Sequence, residues 1–415
     1  LAIRREADPI TPPNRKRSDS SNSSKKKSIR DIDVNGKRVF LRVDYNVPTD
    51  SSGAITDDSR IAESLPTIRY LLERNCSIVA ACHFGRPKGQ VVEELRVAAV
   101  RQRLSDLIGQ EVAELGGPAG VESFAASRTL EHGEIGLLEN LRFDPHEEAN
   151  DPEFATELAN LGEIFVNDAF GAAHRAHAST EGVAHLLPAV AGLLMSRELE
   201  MLGRVISAPE SPVVAIVGGA KVTDKIGILQ NLTARVDSVL IGGGMVAAFA
   251  RAKGFEAGRA EVTAEESEAA SAILAGSGAA IFLPEDVVTA PSFDEHAPAT
   301  VSAFNAVDVD SLILDIGPTS VESYSREIAR ARTIVWNGPP GVFELDSFSG
   351  GTRGLANAVA ANTTATTIVG GGSTAEAVRS LGLADKMTHI STGGGASLEF
   401  LEGKTLPGVA ALDDI

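Results

Sequence analysis

From residue 38 onward, short continuous apolar runs alternate with stretches in which apolar residues recur every three or four positions. The runs at 38–43, 77–82, 136–139 and 163–167 read as strands. The segments between them, 58–73, 94–108 and 152–161, read as helices, with Asp151 as an N-cap before a proline at the first helical position. The alternation resumes after residue 210 with runs at 213–217, 238–241, 279–283, 311–314, 333–336 and 366–369. Such continuous apolar runs suit parallel sheets covered on both sides, so the pattern predicts an α/β chain with a sheet in each half. Between the halves, 188–206 has the apolar spacing of a helix and is expected to join them, ending before a loop at 207–212.

At 415 residues the chain is long enough for two or three domains, since a domain takes roughly 100 to 200 residues. A hydrophobic share of 43% against 23% charged excludes disorder of the whole chain. No apolar run reaches the ~18 residues of a membrane helix, and the N-terminus has no apolar leader core, so a soluble cytoplasmic protein is expected. Residues 1–28, rich in Ser, Pro, Asn and base, show no apolar periodicity and are expected to form a disordered basic tail. They hold eight of the 38 bases and three of the 56 acids, which leaves residues 29–415 with a net charge of −23. A body so charged repels nucleic acid and anionic membrane surfaces, and neither is expected as a partner. Only seven lysines lie beyond the tail, and an acidic, lysine-poor surface points to a high-salt cytoplasm that screens the charge. Cys76 and Cys82 fall together in one strand-like segment and are expected to fill core space rather than to pair or bind metal.

In this acidic chain the cations of the first half gather where strands end. Arg42 stands in RVDYN, Arg60 in DSRI, His83 and Arg86 in CHFGRPKG, Arg142 in ENLRF, and His174, Arg175 and His177 in HRAHAS. Loops leaving the carboxyl ends of parallel strands converge on one crevice. Several guanidinium forks can enclose one anion through paired, charge-assisted hydrogen bonds, so a phosphate or carboxylate site is expected there. Singly, each arginine reads better as a solvated or surface-paired residue; five at strand ends in an acidic body read as a site. The HRAH spacing is not a metal motif without further ligands. The second half supplies glycine instead, in VGGAKVTDK, IGGGM, WNGPPGVFE, VGGGST and STGGGAS. Glycine lets backbone N–H groups approach phosphate at helix N-termini, and it equally serves tight strand-to-helix turns. Neither a Walker A spacing nor a GxGxxG with a ribose-binding acid is present.

RVDYNVP, CHFGRPKG, ENLRF, NDAFGAAHRAHAS, GGAKVTDKI, WNGPPGVFE and STGGGASLEFLEGKTLPGV closely resemble, in order and spacing, the motifs of the phosphoglycerate kinases, over residues 29–415. The resemblance implies two Rossmann-like parallel-sheet domains joined by a hinge helix. Residues 29–187 plus 399–415 would bind 3-phosphoglycerate, 188–206 would be the interdomain helix, and 207–398 would bind nucleotide. The implied reaction is reversible phosphoryl transfer between 1,3-bisphosphoglycerate and ADP, giving 3-phosphoglycerate and ATP, with Mg2+ accompanying the nucleotide and a monomer as the expected state. By the same resemblance, Asp44 and Asn46 lie against the substrate hydroxyl and carboxyl, and His83, Arg86, Arg142 and Arg175 hold its distal phosphate. Arg42, Tyr45, Phe84, Gly85 and His174 complete that substrate set. Arg60 and Lys221 are assigned to the moving phosphoryl group, with Gly372 and Gly395 beside them. Gly219, Ala220, Lys225, Gly243, Asn337, Gly338, Pro339, Glu344, Gly371, Ser373 and Thr374 are assigned to the nucleotide. Such a reaction needs alignment and charge neutralisation rather than a general base, and domain closure to exclude water.

Three positions depart from the family pattern. Ser373 stands where the family's GGGDT has the aspartate expected to bind the metal of the Mg-nucleotide, so no metal ligand is assigned. Pro340 replaces a usual methionine, and Thr319 a usual lysine. Two other readings fit the same residues: a relative that binds nucleotide and a phosphorylated acid without turnover, and a kinase acting on another acyl phosphate.

Overall fold

The computed structural model describes residues 25–276 and 278–415. Six strands of the first half form one parallel sheet: β1 (Arg38–Arg42), β2 (Ser77–Ala81), β3 (Val112–Glu114), β4 (Ile135–Leu137), β5 (Ile164–Asn167) and β6 (Ala189–Ala191), in the order β3-β4-β2-β1-β5-β6. Successive strand residues face opposite sides, so a strand covered on both sides must be apolar throughout. In β1, Val39 and Leu41 enter a core with Ile61 and Ile68, while Phe40 faces the other core and stacks on Phe165 at 5.8 Å. Local capping follows the sequence as well: Asp151 accepts from the N–H groups of Glu153 and Phe154 at 2.9 and 3.0 Å, ahead of Pro152. Cys76 and Cys82 are buried and unpaired with each other.

The second half repeats the design with β7 (Val213–Val217), β8 (Ser238–Ile241) and β9 (Ala280–Phe282). A three-stranded antiparallel sheet follows, β10 (Asp286–Ala290), β11 (Thr300–Ala303) and β12 (Leu312–Ile316), and then β13 (Thr333–Asn337), β14 (Thr366–Gly370) and β15 (His389–Ile390). The main sheet runs β15-β14-β13-β7-β8-β9, all parallel. The run at 311–314, expected as a parallel strand, is instead β12, antiparallel to β10. Its residues are covered from several sides, Ile313, Leu314 and Ile316 each entering a different core, so its apolar run looked like that of a central parallel strand.

The joining helix is Leu193–Ser207, shorter at its start than the expected 188–206, because Ala189–Ala191 pairs with β5 as the edge strand β6. Asp168 starts the helix: its Oδ1 accepts from the N–H groups of Leu194 and Met195 at 3.0 and 3.1 Å. Gly192 is required there, since a Cβ would stand 2.1 Å from Asp168 Oδ1.

The expected tail boundary at residue 28 is also corrected. Residues 25–28 extend the sheet beyond β6: Lys27 N–H donates to Asp413 O at 2.8 Å, Ala191 N–H to Lys27 O at 2.8 Å and Ile29 N–H to Ala191 O at 3.0 Å. Lys26 Nζ, in a side chain only 8% exposed, donates to the carbonyls of Leu412 and Ala410 and pairs with Asp414 at 2.8 Å. Residues 1–24 of the expected tail lie outside the described residues. The C-terminal segment is held on the first half by Gly408 N–H to Ala173 O at 2.9 Å and Asn167 Nδ2 to Gly408 O at 3.1 Å. The helix Gly395–Leu401 touches both halves, since Phe400 meets Phe170 edge-on while Asn231 Nδ2 donates to Leu401 O. Among the described residues, no helix is long and apolar enough to cross a membrane.

Candidate active site

The loops after β1, β2, β4 and β5 open on the same end of the first sheet and bring its cations together. Arg86 and Arg175 are exposed there and form no ion pair among the described residues. Arg142 is nearly buried; its Nη1 donates to Gly85 O at 3.0 Å and its Nε stands 3.2 Å from Glu148. Asn46 Oδ1 accepts the Gly85 N–H at 2.9 Å, tying the RVDYN loop to the CHFGRPKG loop. Gly85 has φ +63 and sits where a Cβ would meet Leu95 at 2.6 Å, so a side chain here would be strained and would push Leu95 aside. Arg60 pairs with Asp44 through Nη1 and Oδ2. Gly171, which sequence reasoning missed, leaves room for that pair, because a Cβ on it would stand 2.2 Å from Asp44 Oδ2.

Three residues expected to touch substrate are interior instead. Arg42 is fully enclosed, with Nε on Ser179 Oγ at 2.8 Å and Nη2 on His83 Nδ1 at 3.1 Å. Tyr45 is fully buried: Ser64 gives its proton to Ile61 O, so the Tyr45 hydroxyl donates to Ser64 Oγ at 2.7 Å, and burial raises the phenol's proton affinity. Phe84 packs inside, and only its backbone is used, exchanging bonds with the Asn140 amide. These positions misled because the strands end inside the core, where Leu41, Arg42 and Val43 are all enclosed, as are Cys82, His83 and Phe84. His83 is held neutral by burial first, then by Arg42, Arg142 and Arg60. His177 is pushed down to about 3 by burial first, then by Arg142, Arg42 and Arg175, and burial lowers His174 too. The arginines thus carry the positive charge and the imidazoles offer neutral donors.

In the second half, Lys225 Nζ donates to Asn337 Oδ1 at 2.7 Å, and burial lowers its proton affinity. Asn337 Nδ2 is buried without a partner, beside Gly370 and Gly371. Many of the glycines serve loop-on-loop packing: a Cβ on Gly218 would stand 2.2 Å from Pro339 O, one on Gly338 2.1 Å from Gly218 O, and one on Gly243 2.6 Å from Gly219 N. Pro340 belongs to this packing, lying 2.5 Å from a Gly242 Cβ. Gly372 is different. It is exposed and opens the helix Gly372–Ser380 with free space around it, at a helix end where the first N–H groups have no partner within the helix. Thr374, expected at phosphate, is fully buried and accepts the Gly338 N–H at 2.7 Å, so it holds the loop rather than reaching out. Ala220, Lys221, Glu344 and Ser373 are exposed. Thr319 gives its N–H to Asp286, which caps the helix Pro318–Arg330. Among the described residues, no group of three or more His, Cys, Asp or Glu is arranged to hold a metal.

A buried carboxylate that sequence reasoning missed links the halves. Glu198 of the joining helix accepts from His389 Nε2 and Ser391 Oγ, both at 2.8 Å, and from Thr392 N–H at 2.7 Å and Thr392 Oγ1 at 3.0 Å. Its signal was one acid among the buried Leu194, Met195, Leu202 and Val205 of the helix. The loop it holds carries Gly395, where a Cβ would stand 3.7 Å from His174 Nε2 of the first half.

The phosphoglycerate kinase family model matches residues 29–404. The phosphoglycerate kinase of Chlorobium luteolum is 53% identical over 399 residues, covering 94% of this chain and 99% of the relative. That of Chloroflexus aggregans is 52% identical over 396 residues, with the same coverage. Among solved structures, the phosphoglycerate kinase from Coxiella burnetii superposes with a TM-score of 0.85 at 42% identity, covering 93% of this chain and 98% of the other. The Pyrococcus horikoshii enzyme gives 0.81 at 34%, again over 93% and 98%. With arginine-lined loops on one parallel sheet, glycine-lined loops on the other and a helix between them, this chain belongs to the phosphoglycerate kinase family.

Proposed function

We propose that the chain transfers a phosphoryl group reversibly between 1,3-bisphosphoglycerate and ADP, with 3-phosphoglycerate in the arginine crevice and Mg-nucleotide on the glycine loops. The observation that carries this reading is the division of chemistry between two sheets joined by one helix: clustered cations on one side, a buried unpartnered amide and an exposed helix N-terminus on the other. Arg86, Arg142 and Arg175 hold the distal phosphate, and Asn46 and Asp44 face the glycerate. Arg60, a third exposed and already oriented by Asp44, neutralises charge on the moving group. Lys221 meets that group from the other side, and Lys225 with Asn337 binds the nucleotide phosphates. The acceptor oxygen is already anionic, so no side chain has to remove a proton; the protein supplies alignment and positive charge. Closure about the joining helix unites the crevices and excludes water that would hydrolyse the acyl phosphate.

Magnesium enters as part of the nucleotide substrate. The protein offers the neutral Ser373 hydroxyl at the start of the helix Gly372–Ser380. A hard cation prefers charged oxygen and water, so phosphate oxygens and waters supply most of its shell. The test is a coupled assay with 3-phosphoglycerate, ATP and magnesium at low and high salt. ATP-dependent turnover supports the reading; saturable binding of both substrates without turnover favours the non-catalytic relative.

A further inference from the structure

Beneath the arginine crevice, four side chains form one hydrogen-bonded chain, and two of them, Glu147 and Ser179, have no part in the roles assigned above. Glu147 lies in the short helix Pro145–Glu148 and is fully buried. Both of its oxygens are taken by Ser179: Oε1 accepts from the hydroxyl at 2.5 Å and Oε2 from the backbone N–H at 3.0 Å. The same hydroxyl accepts from Arg42 Nε at 2.8 Å. Arg42 then donates through Nη1 to Val43 O and through Nη2 to His83 Nδ1 at 3.1 Å. A guanidinium has donors only, so His83 Nδ1 is the acceptor and the ring proton sits on Nε2.

We propose that Glu147 and Ser179 are positioning residues for the anion of the crevice, acting through Arg42 to fix His83 as a neutral Nε2–H donor. The inference rests on reading the crevice as the 3-phosphoglycerate site. Arg42 has no exposed surface, so it acts on a bound anion through the imidazole. Glu147 lies two links away; burial raises its proton affinity, and Arg42 and the two Ser179 hydrogen bonds act against that rise in favour of the carboxylate. The ring faces Arg42, Arg142, Arg60 and His177, and these charges together with burial disfavour a second proton on it. A neutral donor can stand among arginines without repelling them, and it adds a directed hydrogen bond that a free-turning ring would lose. His177 Nδ1 stands 3.8 Å from Glu147 Oε1 and is itself neutral in this setting, so it does not compete for the carboxylate's charge.

The decisive measurement is the 15N spectrum of the histidine rings in the full-length protein, with His83 assigned by loss of its signals in His83→Gln. The expected result is an acceptor-type Nδ1 and a protonated Nε2 that do not titrate between about pH 5.5 and 8. Inorganic phosphate should shift the Nε2–H signals and leave Nδ1 an acceptor. A protonated Nδ1, or a ring titrating near its ordinary value, overturns the proposal. Ser179→Ala should let the two nitrogens average towards a tautomer mixture and raise the KM for 3-phosphoglycerate by roughly three- to tenfold, with kcat within about twofold. Glu147→Gln should act in the same direction, and Ser179→Ala carries the test if that variant fails to fold. An unchanged spectrum and KM in Ser179→Ala overturn the relay. If the parent protein shows no turnover, the proposed reaction fails, whereas the phosphate titration still decides the relay.

Discussion

Arg60 and Asp44 form an ion pair whose carboxylate side chain is only 10% exposed, and that pairing shapes what a substitution there does. Arg60→Ala removes one preoriented donor from the moving phosphoryl group, and such losses cost about 3 to 4 kcal/mol, so kcat should fall by roughly two orders of magnitude or more. It also strands a largely buried carboxylate, so the variant should melt below the parent. Arg60→Lys keeps the charge beside Asp44 but loses the fork; it should recover most of the melting temperature and little of the rate. Recovery of full rate in the lysine variant would show that charge alone suffices. Ser373 makes a second case. It is exposed in the first turn of the helix Gly372–Ser380, where a carboxylate is favourable to the helix, so Ser373→Asp should fold normally. If the added charge contributes ~1.4 kcal/mol net of desolvation, the free magnesium for half-maximal rate should fall about tenfold. An unchanged or higher midpoint at fixed nucleotide would show that the metal is held without this residue.

At the scale of elements, the N-terminal strap and the C-terminal segment depend on each other. Lys26 supplies donors to two carbonyls that otherwise lack a partner from the strap, and it does so from a nearly buried position. Lys26→Met keeps the apolar stem and should lower stability by about 1 to 3 kcal/mol, read as a lower urea midpoint with unchanged slope. A chain starting at Lys25 keeps the strap, whereas one starting at Ile29 loses it and should melt lower than the first. Equal melting of the two would remove the strap from the account. The strap also shows what local pattern conceals. Strands such as β1, β7 and β13 were legible because both faces are buried and their central residues form an unbroken apolar run. Residues 25–28 are polar and basic, and they are ordered by main-chain bonds to Ala191 and Asp413, far along the chain. The short strands β3 and β6 carry too few residues to break the surrounding period. The site divides the same way. Arginines at strand ends stood out by type and place, while Ser179, 137 residues from Arg42, and Glu198, 191 residues from His389, act through partners that only the fold brings near.

Taken as a whole, the molecule sets two electrostatic fields of opposite sign against each other. Residues 29–415 carry a net charge of −23, and this self-repulsion opposes the compact state. The arginine crevice is a local exception, with Arg86 and Arg175 exposed beside Arg60 and Arg142. Added salt shortens the screening length from about 8 Å at 0.15 M to about 3 Å at 1 M, and it acts on both fields at once. Screening the body relieves repulsion among acids spread over the surface, so the melting temperature should rise as KCl increases towards 1 M. Screening the crevice weakens attraction for a trianionic ligand, so the KM for 3-phosphoglycerate should rise over the same range. The pair Arg60–Asp44 and the enclosed Arg42 lie where ions enter poorly, so kcat should respond less than KM. The two curves cross in meaning: the salt that best preserves the fold is above the salt that best favours substrate capture. Melting followed by circular dichroism and initial rates at saturating nucleotide, measured on one KCl series, test both. A melting temperature falling steadily with KCl would show that surface repulsion is not what limits stability. A KM indifferent to KCl would place the distal phosphate outside the arginine crevice.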